Sequence, residues 1–366
     1  MNLRHFLPNS WSYAYSPLPT TRNRPGKSRE CGYRYVMWTV ARVVLNALFI
    51  WLLVRIFSKH YTPLDNYQNI NHYPLVHANY TPTPHDRRAV VSSLYSDSFT
   101  MAIAVLGYSV LKANIHAHLV LPYLESQVSK QALCIASAIG WTPLPVPFIP
   151  PPHHGKGIHY RFSDQYTKLN IWGLDKAGYD RVVYLDADTL VRRNFDELFD
   201  GPFDFAVVPD VYRPNDSRGF SITFNAGVIA LRTSSALLKE MLDLIPQTDY
   251  PLDEAEQAFL NQFYSAKALR LPYAYNANLA IKTRSPQLWE GMKAEMRIVH
   301  YTLNKPWMTS LDQDPHEIVT LENQRGILEK STKRNGGLYA QEVGWWVDVF
   351  EEMVAEKGEQ LQACYL

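Results

Sequence analysis

The chain has 366 residues, with 36 Lys and Arg against 35 Asp and Glu and a formal net charge of +1. That balance supplies no field for gripping nucleic acid or another polyanion, and an aromatic content of 13% excludes a globally disordered chain. The length suits one large domain with ordered appendages. Cys31, Cys134 and Cys364 form no CxxC or zinc-ligand pattern, so stability is expected from a core.

Residues 1–35 are polar, interrupted by Pro8, Pro17, Pro19 and Pro25, and rich in Arg and Lys. The apolar run over 36–57 is long enough to span a hydrocarbon core of ~30 Å at 1.5 Å per residue. Trp38 and Trp51 lie near its ends, where amphipathic rings favour the interface. Arg42 and Asn46 interrupt it; Arg42 is close enough to the basic end to snorkel outward. An amphipathic helix on a membrane surface, or a buried core helix, is the other reading of the run. Basic residues before it, with only Lys59 soon after, predict a cytosolic N-terminus and a type II anchor, with the remainder of the chain lumenal.

Residues 58–87 hold Pro63, Pro74, Pro82 and Pro84 and sustain no apolar period, which reads as a stalk. Sequons stand at Asn79 and Asn215. Cys134 and Cys364, on the lumenal side, are free to pair, although nothing in the sequence requires it. From residue 88 strands and helices alternate. Strands are predicted over 89–94 and 118–121, helices over 99–113 and 125–139, the second stopped by Gly140. Six prolines within 143–152 predict a surface connection. A helix over 163–177 leads into 181–185, an almost wholly apolar strand of the kind found at the centre of a sheet covered on both faces. Later strands are predicted over 205–208, 227–231 and 297–301. The fold class is α/β, a doubly wound nucleotide-binding sandwich.

Asp186-Ala187-Asp188 follows the apolar strand directly, and ligands of open α/β sheets bind beyond the carboxyl ends of strands. In extended backbone an i, i+2 pair points both carboxylates to one side. Two like charges so placed repel unless a cation lies between them, and a divalent metal bridging a diphosphate satisfies both.

The segment 184–191 (YLDADTLV) with 194–199 (NFDELF) resembles glycosyltransferase family 8, the glycogenin-like group of GT-A fold enzymes. Three further segments agree in order: 224–228 (FNAGV), 256–261 (EQAFLN) and 300–307 (HYTLNKPW). The resemblance covers roughly residues 88–310 and implies a GT-A nucleotide-diphospho-sugar transferase with retaining chemistry and a UDP-sugar donor. It implies Asp186, Asp188 and His300 as ligands of Mn²⁺, an oxygen and nitrogen set that suits a transition metal better than Mg²⁺. Lys305 and Lys168 are implied to face the phosphates and the nucleotide-sugar. Leu94, Tyr95 and Phe99 fall in the region that grips uridine, where core packing explains Phe99 equally well, and Ala187 lies between the two acids. Asn225, Gln257, Glu256 and Asp253 match the donor-sugar stretch, with Gln257 the candidate for stabilising an oxocarbenium-like centre.

This chain has Glu256 where glycogenin has Asp, and Leu303 where the family commonly has Gly. The Tyr275-Asn276 pair is followed by no tyrosine through residue 286, which favours an acceptor in trans over self-priming. The anchor suits a Golgi member of the group; a homodimer is left open as a partner state. Residues 311–366 lie beyond the resemblance: 343–350 has helical spacing and either packs back on the domain or lines an acceptor cleft, and 351–362 is a charged helix end. Two rivals stand beside the transferase: a cytosolic glycogenin-like initiator and a catalytically silent scaffold. Donor sugar and acceptor are not legible.

Overall fold

The computed structural model describes residues 29–57, 82–310 and 314–366. The tail up to residue 28, most of the stalk and its sequon at Asn79 lie outside the described residues. The first 62 residues and the remainder form separate compact units.

In the first unit, Arg29–Phe57 (α1) is one continuous helix. It begins seven residues before the apolar run predicted to start at 36, because no proline after Pro25 interrupts it. Its stretch Tyr33–Ile56 is long and apolar enough to cross a membrane by length and composition. Arg42 lies over the Trp38 ring at 4.7 Å and Arg55 over Trp51 at 5.0 Å, so these two cations of the stretch rest on indole faces.

The second unit is built on a seven-stranded mixed sheet. Its strands are Arg88–Val91 (β1), His118–Tyr123 (β2), Thr142–Pro145 (β3), Arg181–Leu185 (β4), Phe205–Val211 (β6), Phe220–Arg232 (β7) and Leu269–Arg270 (β8), in the order β3-β2-β1-β4-β7-β6-β8. The first four run parallel, and β7 is antiparallel to both β4 and β6. β4 is central and wholly buried: Val182 and Tyr184 face one core, Val183 and Leu185 the other. The helix Thr100–Lys112 (α2) and then Lys130–Ile139 (α3) cover one face, and Ser235–Leu244 (α4) with Ala255–Phe263 (α5) belong to the other. A smaller sheet of Thr189–Val191 (β5), Ile298–His300 (β10) and Ala277–Asn278 (β9) stands beside the first, so the strand predicted over 297–301 belongs to this second sheet.

Three expectations change. The proline-rich connection contains the edge strand β3; Pro143 and Pro145 are tolerated there because an edge strand has one side with no ladder to feed. The helix predicted from 125 starts at Lys130, where the Ser129 side chain accepts from the Ala132 N–H, a cap worth about 1 kcal/mol. It stops where predicted, Gly140 taking φ 118°. The helix predicted over 163–177 is wound in 3₁₀ turns over Gln165–Ala177. A threefold repeat stacks Tyr166, Leu169 and Trp172 in one buried row and Lys168, Ile171 and Leu174 in the next.

After the short helices Leu279–Arg284 (α6) and Pro286–Met292 (α7), the chain beyond residue 310 forms Leu321–Lys333 (α8) and Ala340–Ala363 (α9). α9 packs back on the domain through Trp346, Val349, Phe350 and Met353, as the spacing over 343–350 allows. Glu342 at its start is fully buried; its carboxylate takes Lys282 and the Trp289 indole N–H, and its carbonyl accepts from the Tyr301 hydroxyl. Cys134 of α3 and Cys364 just past α9 form a disulfide across 230 residues of chain. Closing so long a loop constrains the unfolded chain, so replacing both cysteines by Ala is expected to cost about 2–4 kcal/mol. Thermal melts of the two proteins, with and without reductant, measure this; identical midpoints would show that the bond contributes nothing.

Candidate active site

β4 ends at Leu185, and the next backbone N–H, that of Asp186, donates to the Gly227 carbonyl at 2.8 Å. The chain then turns: the Asp186 carbonyl accepts from the Thr189 N–H at 3.0 Å and the Thr189 hydroxyl at 2.8 Å. The two carboxylates therefore converge across a turn and not, as expected, along extended backbone. The turn feeds β5, which pairs antiparallel with β10 and sets Thr189 opposite His300. One oxygen or nitrogen atom from each of Asp186, Asp188 and His300 lies within 4.8 Å of the others. His300 Nε2 is 3.0 Å from Asp188 and 4.0 Å from Asp186.

Burial works to raise the Asp188 pKa, but the charge of Lys305, then that of His300, overturns this and holds the carboxyl well below the usual range. Lys305 Nζ pairs with the second Asp188 oxygen. Lys168, 2% exposed, bridges Asp186 at 3.1 Å and Glu256 at 2.8 Å. Burial would lower its pKa; the Asp186 and Glu256 charges outweigh that and raise it. Tyr184 donates to Asp186 at 2.9 Å, and burial keeps its phenol protonated.

A chain of amides sets the polarity of the imidazole. The Gln257 amide nitrogen donates to Asp210 at 3.1 Å, which turns its oxygen to the Ala226 N–H at 2.9 Å and the Asn225 amide at 3.4 Å. Asn225 Oδ1 accepts from Asn276 at 2.9 Å, and Asn276 Oδ1 accepts from His300 Nδ1 at 3.0 Å. Nδ1 is thus the nitrogen that serves Asn276, and Nε2 is the one turned to the two acids, the edge a metal would take. Two lysines stand among four carboxylates, those of Asp186, Asp188, Asp210 and Glu256. The donor set and the surplus of negative charge both fit a divalent cation.

The structure brings together Asp186, Asp188, His300, Lys305, Lys168, Asn225, Gln257 and Glu256, although Glu256 turns its carboxylate inward to Lys168. Asp253 is exposed on the turn Leu252–Glu254, and no hydrogen bond of this network reaches it. Leu94 is wholly buried in the core, Phe99 packs edge-on against Trp307 at 5.7 Å, and Ala187 is half-buried against the core. Tyr95 sits at the mouth of β1 with a hydroxyl that burial keeps protonated.

Sequence reading missed Tyr184, Asp210 and Asn276. Asp210 had a signal: like Asp186, it follows an apolar strand run, 205–208. Burial raises its pKa, with Val211 N–H and Gln257 opposing. Beyond Asp210 lies a cavity of about 610 Å³, lined by the loop 211–218 together with Asn278, Thr302 and Leu303. Arg284 holds this loop by donating to the carbonyls of Tyr212, Arg213 and Asp216. The sequon residue Asn215 lies on the cavity wall.

The family model for glycosyl transferase family 8 matches residues 90–310. Inositol phosphorylceramide glucuronosyltransferase 1 of Arabidopsis thaliana is 28% identical over 60% of this chain and 42% of its own. Glycogenin-1 of Caenorhabditis elegans is 33% identical over 39% and 32% respectively, and galactinol synthase 1 of Solanum lycopersicum 34% over 39% and 48%. The matched region spans less than half the length of each of these three relatives. Among solved structures, the glycosyltransferase GlyE of Streptococcus pneumoniae TIGR4 aligns with a TM-score of 0.46 at 19% identity, covering 74% of this chain and 64% of that one.

Proposed function

Because the chain belongs to glycosyltransferase family 8, we propose that it is a Mn²⁺-dependent transferase that moves a sugar from a UDP-sugar to an acceptor in trans, with retention. The observation that carries this reading is the convergence of Asp186, Asp188 and His300, with Lys305 and Lys168 at their flanks.

Asp186, Asp188 and His300 would hold the metal, which when bound offsets the charge of the diphosphate. Lys305 pairs with the same carboxylate and would meet the departing phosphate as a point charge. Lys168 fixes Asp186 from beneath. Asp210 orients the Gln257 amide, and Asn225 and Gln257 present polar edges where the donor sugar would lie. The cavity walled by 211–218 and Leu303 would take the acceptor: Val211 follows Asp210 in its wall, Thr302 and Leu303 stand between His300 and Lys305 in the chain, and it is large enough for a sugar unit. The helix α1 supports a membrane anchor by length and composition, and the proposed setting is the Golgi membrane with the catalytic unit lumenal. No tyrosine follows Asn276 through residue 286, which favours the transferase acting in trans over a self-priming initiator.

The test is hydrolysis and transfer with a panel of UDP-sugars, in Mn²⁺ and in EDTA. Turnover of one donor that EDTA abolishes is the expected result. Asp188→Asn is expected to remove that turnover by about 100-fold or more, since it strips a ligand and the partner of Lys305. Full activity in a folded Asp188→Asn protein would sink the metal site.

A further inference from the structure

The segment His300 to Trp307 carries both the imidazole and the lysine of the site, and it is gripped from outside the family-matched region. Arg334 lies just past α8, beyond residue 310, where the family match ends. Its guanidinium donates to the Lys305 carbonyl at 2.9 Å, to Asn304 Oδ1 at 3.3 Å and to the Met308 carbonyl. Asn304 is buried, and its amide also meets Ser331 of α8 in both directions, at 3.3 and 3.2 Å. Trp307 is held between Phe99 at 5.7 Å and Trp346 of α9 at 6.2 Å.

We infer that Arg334 is a positioning residue for Lys305, and that the C-terminal helices thereby complete the diphosphate-binding side of the site. The inference rests on the UDP-sugar reading above. Its physics is the fork of the guanidinium. Two of its acceptors, the carbonyls of Lys305 and Met308, bracket Pro306 and Trp307, so one planar group fixes both ends of that turn. Burial lowers the Arg334 pKa, yet a guanidinium stays a cation and a five-fold donor. Without it, Asn304 Oδ1 keeps the Ser331 hydroxyl and the Lys305 carbonyl keeps the Met308 N–H, but the brace that ties Lys305 and Met308 to one group is lost, and the backbone that aims Lys305 Nζ at Asp188 is free to shift. Lysine at 334 supplies one ammonium that does not span acceptors on both sides of the turn.

The experiment compares binding of UDP with Mn²⁺ and binding of uridine, by calorimetry, in the wild type, Arg334→Ala, Arg334→Lys, Lys305→Ala and Lys305→Ala/Arg334→Ala. Arg334→Ala is expected to weaken UDP about tenfold and leave uridine unchanged. Arg334→Lys recovers only part of the loss, and in the Lys305→Ala background the Arg334 change costs less than twofold more. Equal weakening of UDP and uridine would show a general structural role and overturn the inference, as would losses that simply multiply in the double variant. Wild-type UDP binding that Arg334→Ala leaves intact overturns this inference alone. A wild type that binds no UDP overturns the transferase reading with it.

Discussion

Gly227→Ala is expected to lower metal-dependent turnover on the order of 100-fold, with a right-shifted Mn²⁺ dependence, while the protein still folds. A Cβ at this position would stand 2.2 Å from His300 Cε1, 2.7 Å from its Nδ1 and 2.8 Å from Asn225 Oδ1. None of these is the far end of a flexible chain. The ring is pinned by Asn276 on one nitrogen and by Asp188 across the other, so it gives way only by leaving the cluster. The glycine sits where β7 slips register against β6: Val207 faces Ile229 while Val208 faces Asn225, so residues 226–228 bulge out of that pairing. That bulge carries the carbonyl to which Asp186 N–H is tied, so the same methyl strains both ends of the proposed metal site. Gly291→Ala is the control, since nothing lies within 4 Å of a Cβ there. Turnover measured across a Mn²⁺ titration distinguishes them, and a Gly227→Ala protein with the wild-type Mn²⁺ profile would refute the account.

What the sequence made legible was local. The run 181–185 with its terminal acids, the stop of α3 at Gly140, and the four ordered motifs each depend on residues close together in the chain. These were enough for the α/β class, the family and the acidic and basic groups of the site. What stayed hidden is set by tertiary pairing. Asp188 and His300 are 112 residues apart, and motif order implied their meeting without showing the small sheet that brings it about. Asn276 looked like half of a Tyr-Asn pair, whereas its amide orients the imidazole. Tyr184 read as one more apolar strand residue, because alternation places a side chain on a face and says nothing of its hydroxyl. Pro143 and Pro145 were misleading for a related reason. Proline excludes a central strand, and only topology reveals that β3 lies at the edge.

Lys168→Met is expected to destabilise the protein by about 3–5 kcal/mol, because it removes one partner of a buried ion pair and leaves the other charge uncompensated. Lys168 is the shared cation of Glu256, itself 4% exposed, and of Asp186. The Met side chain refills the volume without the charge, so the cost falls on Glu256, which must ionise unpaired or take up a proton. Lys168→Met/Glu256→Gln is therefore expected to recover most of the stability, since neither residue then buries a charge. Urea unfolding of the three proteins measures this, and a double variant no more stable than Lys168→Met would show that the loss is one of packing. The effect has a definite pH dependence. The pKa of Lys168 is raised above its ordinary 10.5, so its contribution is fully present below that value and is lost only as pH climbs through the higher, folded pKa. Between pH 6 and 9 the gap between wild type and the Lys168→Met/Glu256→Gln protein should therefore stay flat. Activity should not return with stability, because the double variant still leaves Asp186 without the ammonium that fixes its carboxylate. Recovery of folding without recovery of turnover would separate the two jobs of Lys168: neutralising Glu256, and holding Asp186 in the proposed metal site.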